Sequence, residues 1–386
     1  MRKTTAAAVI LGALCASPAA AKVVFTGYGD FQTTPEGDFR LDGPPSVLNR
    51  FGVGPANITT RSSTINALGL FATTSLNDQT RLMMDVTYKN IGATVNTLTV
   101  QYAFVEFSDF GATGRFGKIT LPFGWYNQNR FYPFQHASIT APTFTSVVLG
   151  LPIADIGATV GRPFELGDVT LTADVYGVNG FASTPGSTTT FRDTGFLSSN
   201  LSIANNIGSG DNNHDVAFGA RLDASHAALP NSSVGVSYYH DRWDPSGHSL
   251  FQMGNAYLHA TAGGFDLLAE YLLLNAKNDP GALSNFGSPN WRTDGFFTEL
   301  NYTKLEVAKH QVTPWVRYED YLNHAVEGSG GKERLTDFAG GVAVALIDGV
   351  TAKFQGSDLY YRLPFQGQGD LKIQGYSFAL AVTVTF

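Results

Sequence analysis

The sequence predicts an all-β chain, a transmembrane antiparallel β-barrel of about sixteen strands, and three observations carry that prediction. Period-two alternation recurs along the chain and is most regular over 371–386, LKIQGYSFALAVTVTF. There Tyr376, Phe378, Leu380, Val382, Val384 and Phe386 alternate with Ser377, Ala379, Ala381, Thr383 and Thr385. A strand of a soluble sheet runs about 5 to 6 residues, whereas one that crosses an outer membrane needs about 9 to 11. Secondly, beyond the first segment no run of about 18 apolar residues could form a membrane helix, while the chain holds 42 Gly, 28 Phe and 16 Tyr. Thirdly, the connections between alternating segments are short and long by turns, the rhythm of periplasmic turns and extracellular loops. A soluble sandwich has no reason to sort its connections by parity.

Residues 1–21 read as a cleaved secretory signal peptide: Arg2 and Lys3, an apolar core over 6–14, then Ala19-Ala20-Ala21. The mature barrel is expected over 22–386. Cys15 is the single cysteine and falls inside the signal, so neither a disulfide nor a lipid anchor is expected. Without Arg2 and Lys3 the 25 basic residues fall to 23 against 32 acidic, a formal charge of −9. That balance argues against nucleic acid as a partner.

In order, the first strand is expected over 23–31, followed by a polar excursion to about residue 60. The second, 66–76, separates Leu68, Leu70 and Ala72 from Gly69, Phe71 and Thr73. The third, 81–89, puts Leu82, Met84, Val86 and Tyr88 outward and Arg81, Asp85 and Lys89 inward. The fourth, 97–108, puts Leu98, Val100, Tyr102 and Phe104 outward, then slips phase near Val105-Glu106, where a bulge is expected. The fifth runs through Arg115 and Lys118, and a long connection, 121–154, follows it. Further strands are expected at 155–162, 169–178, 216–223, 234–241, 252–261, 265–275, 295–303, 311–321, 337–346, 351–359 and 372–386. Boundaries read from alternation move by about 2 to 4 residues, so fourteen and eighteen strands satisfy the same pattern.

A barrel of this size encloses an aqueous channel, and its inward residues decide what passes. The predicted phases turn Arg81, Asp85, Lys89, Asp174, Arg221, Asp223, Asp266, Glu270, Glu299, Arg317, Glu319, Asp337 and Lys353 inward, with Arg115 and Lys118 on the fifth strand. Such charges either set a transverse field for permeating solutes or pair along the wall. The connection over 121–154 carries Trp125, Tyr126, Asn127, Gln128, Asn129, Arg130 and Tyr132, then an apolar tract over 147–151. Aromatic residues are costly to expose, so this segment is expected to fold against something and is the candidate constriction loop. Arg115, Lys118 and Arg130 are a candidate positive patch; Trp125, Tyr126 and Tyr132 either stack on solutes or plug against the wall.

The terminal strand, ending on Phe386, resembles that of bacterial outer-membrane barrels, in which the terminal aromatic and alternate hydrophobic residues are read by the barrel-assembly machinery. The stretch over 100–130, VQYAFVEFSDFGATGRFGKITLPFGWYNQNR, resembles porins akin to the phosphate-selective family: an acidic-aromatic strand, a short turn, a basic Gly-containing strand and a Pro-Phe-Gly-aromatic segment. The resemblance implies a Gram-negative outer membrane, a third extracellular loop folded into the channel, a homotrimer, and lipid and lipopolysaccharide as surroundings. It does not carry over phosphate specificity, since no basic cluster here aligns with that family's arginine ladder and lysine ring.

Enzyme signals fail. The run 111–120 has Ala112 and Ile119 where a phosphate-cradling loop needs Gly and Ser or Thr. There is no GxSxG, no HExxH and no close His pair, so no cofactor or metal is called for. The expectation is a non-enzymatic porin passing small hydrophilic solutes or ions. The alternatives are a specific channel for a small anion or organic acid, a barrel phospholipase using, for instance, His259 near an outward face, and a closed structural or adhesion barrel.

Overall fold

A computed structural model describes residues 23–44, 56–59, 62–91, 95–129, 132–142, 153–183, 201–203, 215–242, 247–248, 250–277, 290–325, 332–365 and 369–386. The expected signal peptide, Arg130, the 147–151 tract and the side chain of Lys89 lie outside the described residues.

The wall strands are β1 (Val24–Asp42), β2 (Ser62–Ser75), β3 (Thr80–Ile91), β4 (Val95–Asp109), β5 (Ala112–Thr120), β6 (Ala154–Leu166), β7 (Val169–Val178) and β8 (Ala217–His226). They continue as β9 (Ser233–Arg242), β10 (Leu250–Ala262), β11 (Phe265–Lys277), β12 (Asn290–Tyr302), β13 (His310–Ala325), β14 (Lys332–Ile347), β15 (Val350–Phe365) and β16 (Gly369–Thr385). All belong to one 18-stranded sheet, whose two remaining members, Ala56–Thr59 and Leu305–Val307, are short pieces laid on β1 and β13. The sixteen wall strands match the expected sixteen one for one. Each pairs antiparallel with its sequence neighbours, and β1 also pairs with β16, which closes the barrel. Gly27 and Phe386 exchange both backbone hydrogen bonds across that seam, at 2.8 and 3.0 Å.

Alternation sets the two surfaces. On β16, Tyr376, Phe378, Leu380, Val382 and Phe386 are exposed to the outside, while Ala379, Ala381 and Thr383 are buried inside. The same rule exposes Leu68, Leu70, Val175, Val316 and Phe354. The wall strands run further than alternation predicts, because the polarity of their faces reverses toward the long connections. On β14, Leu335 is buried inside and Arg334 faces out; on β13 and β15, Tyr321 and Tyr361 are buried inside. A reading that equates apolar with outward stops at that reversal.

Two local expectations change. The first strand does not give way to a polar excursion after Phe31; β1 continues to Asp42, with Pro35 inside an irregularity between Thr33 and Glu36. A bulge is one of the few places where a sheet tolerates proline. The bulge of β4 lies earlier than Val105-Glu106: Asp85 opposes Tyr102 and Val86 opposes Val100, leaving Gln101 as the extra residue. The consequence is a flipped phase, so Tyr102 and Phe104, expected outward, point into the barrel, where Tyr102 joins a cluster with Tyr28 and Tyr132 and Arg115 sits over the Phe104 ring.

Glycine is required where wall and interior crowd. A Cβ on Gly69 of β2 would fall inside the ring of the buried Tyr28. Gly69→Ala is therefore expected to displace that ring at a cost of about 1 to 3 kcal/mol, read as a lower urea midpoint for loss of the heat-resistant folded band.

Candidate solute pathway inside the barrel

The segment after β5 turns into the barrel because its own residues prescribe the turn. Leu121 and Phe123 are buried, and Gly124 has a φ of +66°. A Cβ there would strike the Glu270 carboxylate, so only glycine serves. A single helical turn, α1 (Tyr126–Asn129), follows. Its Asn127 ties the two ends of the connection together: Nδ2 donates to the carbonyls of Leu121 at 3.0 Å and Ile153 at 3.2 Å, and Oδ1 accepts from Ile153 N at 2.9 Å.

The connection then crosses the lumen from wall to wall. At β9–β12, Gly124 N donates to Ser237 Oγ at 3.0 Å and Tyr126 N to Glu270 Oε2 at 3.1 Å, while Asn255 braces the other Glu270 oxygen at 2.7 Å. Trp125 lies on the His259 ring at 4.2 Å between centroids, and Tyr126 meets Phe297 edge-on. At β1–β3, Tyr132 donates its hydroxyl to the buried Asp85 and packs among Tyr28, Phe71 and Phe134. Burial, with Asp85 alongside, holds the Tyr132 phenol far above its ordinary range, so it stays a protonated donor. At β13–β15, the Lys353 ammonium takes the carbonyls of Pro133, His136 and Ser138, the Gln355 amide oxygen accepts from Ile139 N at 2.9 Å and Thr140 N at 3.2 Å, and Arg317 donates to Thr140 O at 2.8 Å.

This geometry divides the predicted lumen charges. Asp85, Glu270, Arg317 and Lys353 hold the connection, and Arg317 is itself balanced by Glu319 at 2.8 Å and Glu299 at 3.6 Å, all three fully buried. Asp266 binds His259 at 2.6 Å, and Asp337 is buried on β14. The other group lines the side of β3 to β8. Arg81 and Arg115, 53% and 38% exposed, share the single carboxylate of Glu106. Arg221 lies between Asp174 and Asp223, reaches Tyr257 OH at 2.6 Å and approaches Gln128 Oε1 at 3.4 Å. Lys118 donates to Val100 O at 2.6 Å. Of the aromatic and amide candidates, Tyr126, Asn127 and Tyr132 are buried, Trp125 and Gln128 half-buried, and Asn129 exposed. His259, placed near an outward face by alternation, is inside.

Sequence reasoning missed Glu106, Ser237, Asn255 and Gln355, the polar residues on which these contacts converge. Glu106 was legible as the only acid between Arg81 and Arg115 in the hairpin register; the others carry no local signal. Among the described residues there is no group of three or more His, Cys, Asp or Glu arranged to hold a metal.

The class these features define is a closed antiparallel β-barrel with a charged interior and with described residues of the connection after β5 held against the inside of its wall. No protein-family model and no curated protein matches the chain. Solved structures do match in fold. The anion-selective porin from Comamonas acidovorans aligns with a TM-score of 0.57 and 11% identity over 95% of this chain and 100% of that one. The outer membrane channel DcaP of Acinetobacter baumannii aligns at 0.56 and 12% over 96% and 99%. Outer-membrane expressed OmpT of Vibrio cholerae aligns at 0.54 and 13% over 95% and 98%.

Lys353→Met keeps the aliphatic stem and removes the ammonium, leaving carbonyls of the 133–138 segment without their donor at about 1 to 3 kcal/mol each. The expected outcome is faster proteolysis within 132–141 and noisier current from the same folded barrel.

Proposed function

We propose that the protein is an outer-membrane porin through which small hydrophilic solutes and ions diffuse passively, its channel narrowed by the connection over 121–154. The chain is a closed β-barrel of the Gram-negative outer membrane type. The observation that carries the channel reading is the capture of the connection's backbone by Glu270, Lys353, Gln355 and Arg317 from inside the wall. In this reading the loop narrows the lumen, and the half-exposed Arg81 and Arg115 face the passage that remains.

In this reading the solute passes between the connection and the β3–β8 wall, along Arg81, Arg115, Arg221, Gln128 and Asn129. Two arginines share one carboxylate at Glu106, a local excess of positive charge inside an acidic chain. That excess favours, as a second reading, a channel preferring a small anion or organic acid. Catalysis has no role in either reading, and a homotrimer is the proposed assembly.

Folded protein in a planar bilayer is expected to give stepwise ohmic conductance. Absence of current would remove both channel readings, and hydrolysis of the bilayer lipid would replace them with an enzyme. In asymmetric salt, the double change Arg81→Ala and Arg115→Ala is expected to move the reversal potential toward cations, lowering anion preference about two- to fivefold, the scale of a unit charge near 4 Å in water. Arg130→Ala is expected to move it the same way.

A further inference from the structure

At the short-turn end of the barrel, β7 to β10 and the connection between β8 and β9 enclose a niche of about 450 Å³, with Trp125 of the inner connection on its lining. The indole is held in place by His259, whose ring lies tilted against it at 4.2 Å between centroids, and Asp266 fixes that imidazole at 2.6 Å.

Beside Trp125 the sheet register builds a row of three hydroxyls that ends at His259. Thr170 pairs across the strands with Ser225, Ser225 with Ser233, and Ser233 with His259. All four line the niche, on adjacent strands about 4.8 Å apart. The Ser225 and Ser233 hydroxyls make no hydrogen bond within the described residues. Ser232, on the same lining, accepts from Thr261 N at 2.9 Å and keeps its own proton to donate. His226 accepts from Ala228 N at Nδ1, which leaves Nε2 as the ring's donor position. No lysine, arginine or carboxylate is among the lining residues, and among the described residues the one carboxylate in contact with a lining hydroxyl is Glu165, which accepts from Thr170 at 2.7 Å.

We propose that this niche is a binding subsite for a neutral sugar of one or two rings. The Ser225 and Ser233 hydroxyls each offer one donor and two acceptor positions, which suits another hydroxyl better than it suits a carboxylate or an ammonium group, while Thr170, whose proton goes to Glu165, is left as an acceptor. The indole adds a flat apolar face against which the C–H face of a sugar ring can lie. The niche's volume lies in the range of small-ligand sites. An inorganic anion would find no cation here, and an amino-acid zwitterion no pair of opposite charges. The proposal rests on the channel reading, which is what would bring solutes to this end of the barrel.

The test is titration calorimetry of the full folded chain in detergent, with maltose as the probe and glycine and inorganic phosphate as comparisons. Maltose is expected to bind more tightly than either. The double change Ser225→Ala and Ser233→Ala is expected to weaken it about tenfold, the loss of one to two hydrogen bonds, while bilayer conductance stays at the native value and reports an intact barrel. Should that variant not fold, Trp125→Leu is expected to produce a loss of the same order by removing the stacking face. No maltose binding by the native chain, unchanged affinity in the variant that folds, or tighter binding of glycine or phosphate would each overturn the proposal. Conductance is read separately: a native chain that binds maltose but carries no current keeps the subsite and loses the channel.

Discussion

Every peptide group that enters a bilayer has to find its hydrogen bond within the protein, because hydrocarbon offers none. Closure of the sheet between β1 and β16 meets that demand, and the rest of the structure depends on it. Closure forces sixteen strands to share one curved surface, and it encloses an interior that lipid cannot fill. The alternation of β16 is the local expression of the same constraint: large apolar residues outward, alanine and threonine inward.

The interior then poses a second problem of polar satisfaction, solved by opposite means. A connection crossing a lumen has a backbone without a ladder, and its carbonyls and amides need partners from side chains. The wall supplies them from residues that pattern alone presents as channel charges. Arg317 illustrates the energetics: a buried guanidinium is costly alone, and it is tolerated because two carboxylates and the loop carbonyls share it. On the side of β3 to β8 the charges pair mainly with one another, Arg81 and Arg115 with Glu106 and Arg221 with Asp174 and Asp223.

Much of the fold was legible because the wall is periodic. Each of the sixteen strands has a local signature, and errors of a few residues do not change their number. Legibility failed where the period was interrupted or reversed. The extra Gln101 turned Tyr102 and Phe104 inward, and nothing in a run of alternating aromatics marks which residue is the supernumerary one. At the ends of β13 to β15 the apolar residues change face, so Leu335 and Tyr361 looked like connections. The site was less legible than the wall, for a physical reason. The stretch 123–132 announced itself by composition, but its partners Ser237, Glu270, Lys353 and Gln355 are 105 or more residues away along the chain, joined to it only by barrel closure.

The small bridge made by Asn127 has a consequence for how such a barrel can change over time. By joining Leu121 to Ile153, one amide side chain turns the intervening segment into a loop whose two feet are already fastened. The stretches between the anchored residues can change in length while β5 and β6 keep their register, because the cost of closing a loop rises only slowly with its length. The wall and its filling are thus separable inheritances: the first held fixed by the pairing of backbone with backbone, the second by side-chain contacts that can be exchanged one at a time.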